Sequence, residues 1–251
     1  VVPAKRGEPP IFSLQRLDFD AGRARNFRAA SASWSILAVA VGNGTVAMAT
    51  SDCCVIRWNA ERGGEAEEIE ISKRQEDTIH KIFLDPTGNH LLACLHGGET
   101  HYLHSASARP KRLLKWSGVV VEAVAFDSQR CTEGSTKGIV IGTRSGDLYE
   151  SSLESNGKER AFNLVYSLAR QHAGSAASGG GGGARADGGG GGKGNAAAGG
   201  GEGRGGGGVV AALYLESMSS AVHGETRVFV MAVTASPLRL HLFMGGPTLE
   251  V

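Results

Sequence analysis

The chain has 251 residues, with 26 Lys and Arg against 25 Asp and Glu, a formal net charge of +1. That balance excludes the strongly basic footprint of a nucleic-acid binder and any acidic tail. No apolar run approaches the ~20 residues that span a bilayer, and the N-terminal VVPAKRGEPP lacks the apolar core of a secretory signal. A start at Val1 rather than Met reads as a trimmed or incomplete chain. Most of the 38 glycines fall in one segment, and the remaining ~210 residues suffice for a sizeable core.

Val1 to Pro10 is Pro-bearing, charged and read as a loose N-terminus. Ile11 to Leu17 (IFSLQRL) reads as a strand. Ser35 to Val41 (SILAVAV) is an apolar run of strand length, and Gly42-Asn43-Gly44 is a hairpin signal. Thr45 to Thr50, Cys53 to Trp58 and Glu67 to Ile71 complete a first group of four strands. The last of these (EEIEI) alternates, as expected of an outer strand with one wet face.

The second group is the clearest. Thr78 to Leu84, His90 to Leu95 and Glu99 to His104 are short strands, with Lys111 to Trp116 (KRLLKW) expected as the outermost. Two turns separate the first three: Asp85-Pro86-Thr87-Gly88 and His96-Gly97-Gly98. Pro presets φ and Gly supplies positive φ at such turns. A third group runs through Val119 to Phe126, Gly138 to Thr143, Asp147 to Ser152 and Phe162 to Leu168. A fourth has Val209 to Leu215, Val228 to Thr234, a Ser236-Pro237 turn and Leu238 to Phe243, one strand short of a full unit.

These groups predict an all-β chain: a partial β-propeller of four-stranded antiparallel blades, about three and three-quarter blades long. Gly44, Gly98 and Gly146 are taken as the turns between second and third strands, with a repeat of about 50 residues. Within each group the first two strands are the most apolar and the fourth the most polar. Neighbouring blades covering the inner strands would produce that gradient, whereas a sandwich would not obviously do so. No long amphipathic helix is visible, which disfavours α/β folds. The domain reading is residues 1–10 loose, 11–172 the first blades, 173–208 a disordered insertion and 209–251 a truncated fourth blade. A partial propeller also leaves two blade faces unpaired, so poor solubility is expected for this stretch alone.

Ala173 to Gly208 is mostly Gly and Ala and offers little apolar area to bury. A Gly-rich coil of about 36 residues spans roughly 30–36 Å. Lengthening a connector from about 6 to about 36 residues costs only about 1.6 kcal/mol. A phosphate-loop reading at Gly192-Lys193 fails, because Asp187 stands where the first Gly belongs and Gly194 where Ser or Thr belongs. Arg204-Gly205-Gly206 is a single RNA-binding-like tripeptide, too little for a binding site.

No catalytic constellation emerges. His80, His90, His96, His101 and His104 cluster in the second group, yet a metal needs three or four convergent ligands, and His101 and His104 fall on opposite strand faces. Asp85 and Asp127 each follow a first strand and read as acceptors of turn N–H groups. Trp34, Trp58 and Trp116 are scattered and read as packing. The four cysteines, Cys53, Cys54, Cys94 and Cys131, form no C-x-x-C pair and read as small buried hydrophobes in a reducing compartment. Cys53 and Cys54 are expected on opposite faces of one strand. The exposed turns Lys73-Arg74-Gln75 and Arg144-Ser145-Gly146 are candidate partner contacts. No cofactor, metal or catalytic residue is assigned, and the chain is read as not an enzyme.

Four stretches carry a resemblance: IFSLQRLDF, EEIEISKRQEDTIHKIFLDPTGNHLLACLHGGETHYLHS, LLKWSGVVVEAVAFD and GIVIGTRSGDLYESSL. Together they resemble the N-terminal β-propeller of the vacuolar protein sorting-associated protein 18 family, of deep orange type. The resemblance implies a non-catalytic scaffold of class C (HOPS and CORVET) tethering complexes. It implies support for vesicle docking and fusion, with the other class C subunits as partners and Rab GTPases and SNAREs met through the complex. Peripheral attachment to the cytosolic face of late endosomes and of the vacuole or lysosome follows from the same resemblance. The family's α-solenoid and RING do not appear in this sequence, so no zinc is carried over. A generic propeller adaptor binding peptides or ubiquitin is the alternative.

Overall fold

The computed structural model describes residues 34–61, 66–168, 208–219 and 226–245. The expected strand at Ile11 to Leu17, the loose N-terminus and nearly all of the glycine tract lie outside the described residues. Within them are fifteen strands in four antiparallel sheets, each a meander of consecutive strands. The first sheet holds β1 (Ile36–Gly42), β2 (Thr45–Thr50), β3 (Cys54–Asn59) and β4 (Glu67–Glu70). The second holds β5 (Ile79–Leu84), β6 (His90–Leu95), β7 (Thr100–His104) and β8 (Lys111–Arg112). The third holds β9 (Val121–Phe126), β10 (Ile139–Thr143), β11 (Asp147–Leu153) and β12 (Glu159–Ser167). The fourth holds β13 (Val210–Ser219), β14 (Thr226–Ala235) and β15 (Leu238–Gly245).

The sheets stack in chain order through their first strands: β1 packs on β5, β5 touches β9 and β9 packs on β13. Each boundary has its own apolar core. Ala47, Val55 and Ile69 meet Ile82 and Leu91 between the first two sheets. Leu92 and Tyr102 meet Val121 and Ile141 between the second and third. Val140 and Ala125 meet Leu215 and Val230 between the third and fourth. Blades stacked by their faces around inner strands are the propeller arrangement that the sequence predicts.

Two glycines set how closely blades approach. Gly88 has φ +74°, and a Cβ there would stand 2.6 Å from the Gly42 carbonyl oxygen of the preceding blade. A Cβ on Gly142 would stand 2.3 Å from Val210 Cγ1 of the following blade. Only a residue without a side chain permits either contact.

The structure corrects four local expectations. Gly44 lies between β1 and β2, not between second and third strands. The first three blades begin at Ile36, Ile79 and Val121, so the repeat is about 42 residues rather than about 50. The fourth strand of the second blade is only Lys111–Arg112, after which Leu114–Trp116 forms a 3₁₀ turn. Leu113 and Trp116 are both fully buried, a spacing of three that one face of a strand does not provide. Cys53 is not on a strand: its φ is +60° and its N–H donates to the Thr50 carbonyl at 3.1 Å, closing the turn before β3. The apolar gradient also fails at the ends of the stack. Leu37, Val39 and Val41 on β1 and Leu238, Leu240, Leu242 and Met244 on β15 are exposed.

Candidate functional site

The second and third blades carry the densest polar architecture, at opposite ends of their sheets. At the end bearing the β6–β7 and β10–β11 turns, Glu122 of β9 is buried and receives the side chains of Arg144, Lys81 and His80. Arg144 Nε donates to its Oε1 at 2.7 Å, while His80 Nε2 and Lys81 Nζ each lie 2.9 Å from Oε2. Lys81 Nζ also donates to the Glu122 carbonyl at 2.7 Å. Neighbours on a strand normally point to opposite faces, yet His80 and Lys81 reach one carboxylate. The reason is a β-bulge: pairing with β6 passes from Ile79 directly to Lys81 and leaves His80 out of register. Glu122 occupies the same kind of place, skipped between Val121 and Ala123 in the pairing with β10.

Burial by itself would push the Glu122 carboxyl up. Hydrogen bonds from Lys81, His80 and Arg144 outweigh it and hold the group down at about 2. A carboxylate ionised near neutrality and fully partnered is an ion-pair hub rather than a proton shuttle. A second hub stands beside it, where Glu99 takes Arg74 at 2.8 Å and Arg112 at 3.3 Å. The His96 ring lies 4.6 Å from that of His80. The structure therefore brings Arg74 and Arg144, from the two turns singled out in the sequence, to one end of the second and third blades. Both are about half exposed.

At the other end, Asp85 is fully buried and accepts the N–H groups of Thr87, Asn89 and His90 and the Thr87 hydroxyl. Asp127 likewise accepts the Gln129 N–H at 3.0 Å. Both aspartates organise turns, as their position after a first strand suggests. His90 and His104 stand opposite each other on β6 and β7, with rings 5.3 Å apart. His90 Nδ1 lies 2.7 Å from the Tyr102 hydroxyl and its Nε2 lies 2.7 Å from the Thr132 carbonyl. His104 Nε2 lies 2.9 Å from the Glu133 carbonyl, and its Nδ1 accepts the Ala106 N–H at 3.2 Å. Arg57 of β3, almost buried, donates to the His104 carbonyl at 2.8 Å and pairs with Glu67 at 2.6 Å. The 127–138 loop also walls an open recess of about 340 Å³, with Arg130, Lys137, Glu150, Glu154 and Arg160 on its lining.

The histidines thus divide among His80 with His96, His90 with His104, and His101 beside Glu99. Their polar neighbours include carboxylates, carbonyls, a hydroxyl, the Ala106 N–H and the Arg144 guanidinium. Trp116 stacks on Phe162 at 5.4 Å, and Trp58 is buried. Burial pushes the Cys53 thiol up to about 11 and those of Cys94 and Cys131 up to about 12, which keeps them protonated near neutrality. Among the described residues, Asp52, Cys54 and Glu68 place potential ligand atoms within 4.8 Å of one another. The Cys54 thiol there donates to the Asp52 carbonyl. No helix among the described residues is long and apolar enough to cross a membrane.

Stacked four-stranded blades joined by buried ion pairs and side-chain-to-carbonyl clasps define a β-propeller segment whose polar groups hold blades together. The comparisons give that class its family. A family model described as the Pep3/Vps18/deep orange beta-propeller domain matches residues 10–178. The chain is 34% identical to Vacuolar sorting protein 18 of Arabidopsis thaliana, over 86% of its own length and 18% of the relative's. It is 28% identical to the Vacuolar protein sorting-associated protein 18 homolog of Danio rerio, over 59% of its own length and 14% of the relative's. The chain belongs to the Pep3/Vps18/deep orange β-propeller family, and it spans under a fifth of these curated relatives. Among solved structures it is similar to the Dos1 propeller, 9% identical with TM-score 0.49, covering 85% of this chain and 47% of that one.

Proposed function

We propose that the chain is a non-catalytic scaffold segment of a class C tethering subunit, of the HOPS and CORVET kind, that supports vesicle docking and fusion at endosomes and the vacuole or lysosome. The observation that carries this reading is the family match over residues 10–178, joined to relatives named for vacuolar sorting. The geometry agrees with it. Glu122 is saturated by cations, the cysteine thiols are held protonated by burial, and Asp85 is spent on its turn. The other class C subunits are the direct partners. Rab GTPases and SNAREs are met through the complex, and membrane attachment is peripheral, on the cytosolic face.

Affinity purification of the tagged chain from cells tests this. Sister class C subunits and Rab GTPases should co-purify. Their consistent absence, with ubiquitin or unrelated peptide partners in their place, would overturn the reading in favour of a generic propeller adaptor.

A further inference from the structure

The loop joining β9 to β10 in the third blade lies against the second blade through two histidine rings, and the hydrogen bonds place a hydrogen on one nitrogen of each. Carbonyl oxygens only accept, so the ring nitrogens facing Thr132 and Glu133 must carry hydrogens. A backbone N–H only donates, so His104 Nδ1, which faces the Ala106 N–H, carries none. The Tyr102 hydroxyl can donate or accept, and it donates to His90 Nδ1 when that ring is neutral. Both rings carry a hydrogen on Nε2, and both use it to hold consecutive carbonyls of the same loop.

We propose that His90 and His104 form a proton-operated latch that fastens the Asp127–Gly138 loop of the third blade to the second and releases it on protonation. A proton added to His104 Nδ1 would face the Ala106 N–H, donor against donor. A proton added to His90 Nδ1 would force the Tyr102 hydroxyl to turn and accept, leaving its own hydrogen without that partner. The rings are 5.3 Å apart, so two charged imidazoles would also repel each other. The surrounding charges are Asp85 in the β5–β6 turn, Glu133 and Cys131 in the loop, Glu154 after β11 and Arg57 from the first blade. Asp85 is committed to its four turn hydrogen bonds, and Arg57 adds positive charge beside His104. Burial, with the nearby His104, holds the His90 ring below the ordinary imidazole range, against the Thr132 carbonyl and the Asp85 and Glu154 carboxylates, which favour its charged form.

Release would be local. The loop keeps its bonds to its own blade, from Ser155 N–H to the Gly134 carbonyl at 2.8 Å and from Thr136 N–H to the Leu153 carbonyl at 3.0 Å. The boundary between blades is what opens, together with the wall that Arg130 and Lys137 give to the adjoining recess.

The test is hydrogen exchange of residues 128–136, corrected for the intrinsic effect of pH, between pH 7.5 and 5. In the unaltered chain, protection should fall about tenfold as the pH is lowered. A double variant, His90→Gln with His104→Gln, retains a side-chain N–H donor at each site and cannot titrate. It should stay protected throughout. Unchanged protection in the unaltered chain, or the same loss in the double variant, overturns the latch. Should the variant fail to fold, ring ¹⁵N shifts of the unaltered chain decide. Neutral Nε2–H rings whose titration coincides with loop exposure support the latch, whereas Nδ1–H rings, or charging that leaves the loop protected, overturn it.

Discussion

His80 and Glu122 hold the same position in adjacent blades and bond to each other across the boundary at 2.9 Å. Each is the second residue of its blade's first strand, and each is skipped in the pairing with the next strand. Leu37 in the first blade and Ala211 in the fourth are skipped in the same way. All four blades therefore carry a bulge at one repeat position, and the two middle blades use it to aim polar side chains at each other. A bulge at the start of a strand turns the side chain away from the alternating pattern, which lets Lys81 and His80 converge on one carboxylate.

Removing that carboxylate should loosen the second blade from the third. Glu122→Gln leaves Lys81, Arg144 and His80 close together with no counter-charge. Lys81 and Arg144 are partly exposed and water offsets some of the loss, so the expected cost is about 2 kcal/mol, below that of a fully buried pair. Urea denaturation of the variant against the parent chain measures it. A change under about 0.5 kcal/mol would mean that solvent already screens the cluster.

The same group sets an acid limb. Its folded pKa, about 2, lies below the ordinary carboxyl value of 4.5. The unfolded chain therefore binds the proton first as pH falls, and stability present above pH 4.5 is lost between about 4.5 and 2. Glu122→Gln should flatten that limb while leaving the pH 7 to 8 region parallel to the parent. Thermal melts at stepped pH give the comparison.

The boundary between the third and fourth blades should fail differently. A methyl at Gly142 would stand 2.3 Å from Val210 Cγ1 and 2.8 Å from Val210 Cβ. Gly142→Ala should cost about 1–3 kcal/mol through overpacking. Adding Val210→Ala should recover part of that loss, because it removes the nearest atom, Val210 Cγ1, while Val210 Cβ and Leu213 Cδ1 stay close. Chemical denaturation of the single and double variants tests the coupling, and equal losses would place the strain elsewhere.

What the sequence revealed follows how local each feature is. The Asp85 turn was legible because its acceptors and donors lie within five residues, and Pro86 and Gly88 announce it. Strand existence was legible wherever an apolar run ended in such a turn, as at His90–Leu95. The Glu122 hub was not legible, since a bulge is defined by which residue the neighbouring strand skips. His90 and His104 read as idle strand histidines because Thr132 and Glu133, the groups they hold, come from another blade. The Leu113–Trp116 turn was missed for a related reason: KRLLKW suits a strand until Phe162 is known to stack on Trp116.

The last prediction concerns the two ends of the stack. Tyr214, Met231 and Leu242 line up across the fourth sheet in one cross-strand row, and all three are exposed. Leu240, in the next row, is 68% exposed, and Leu37, Val39 and Val41 are exposed on β1 at the opposite end. Apolar faces of this kind associate in water. The chain alone should therefore sediment as a concentration-dependent mixture rather than as one species. Leu240→Lys with Leu242→Glu should shift it toward monomer while leaving thermal stability within about 0.5 kcal/mol, since neither side chain contributes to a core. A parent chain that is monodisperse across a hundredfold dilution would show that these faces are not what drives association.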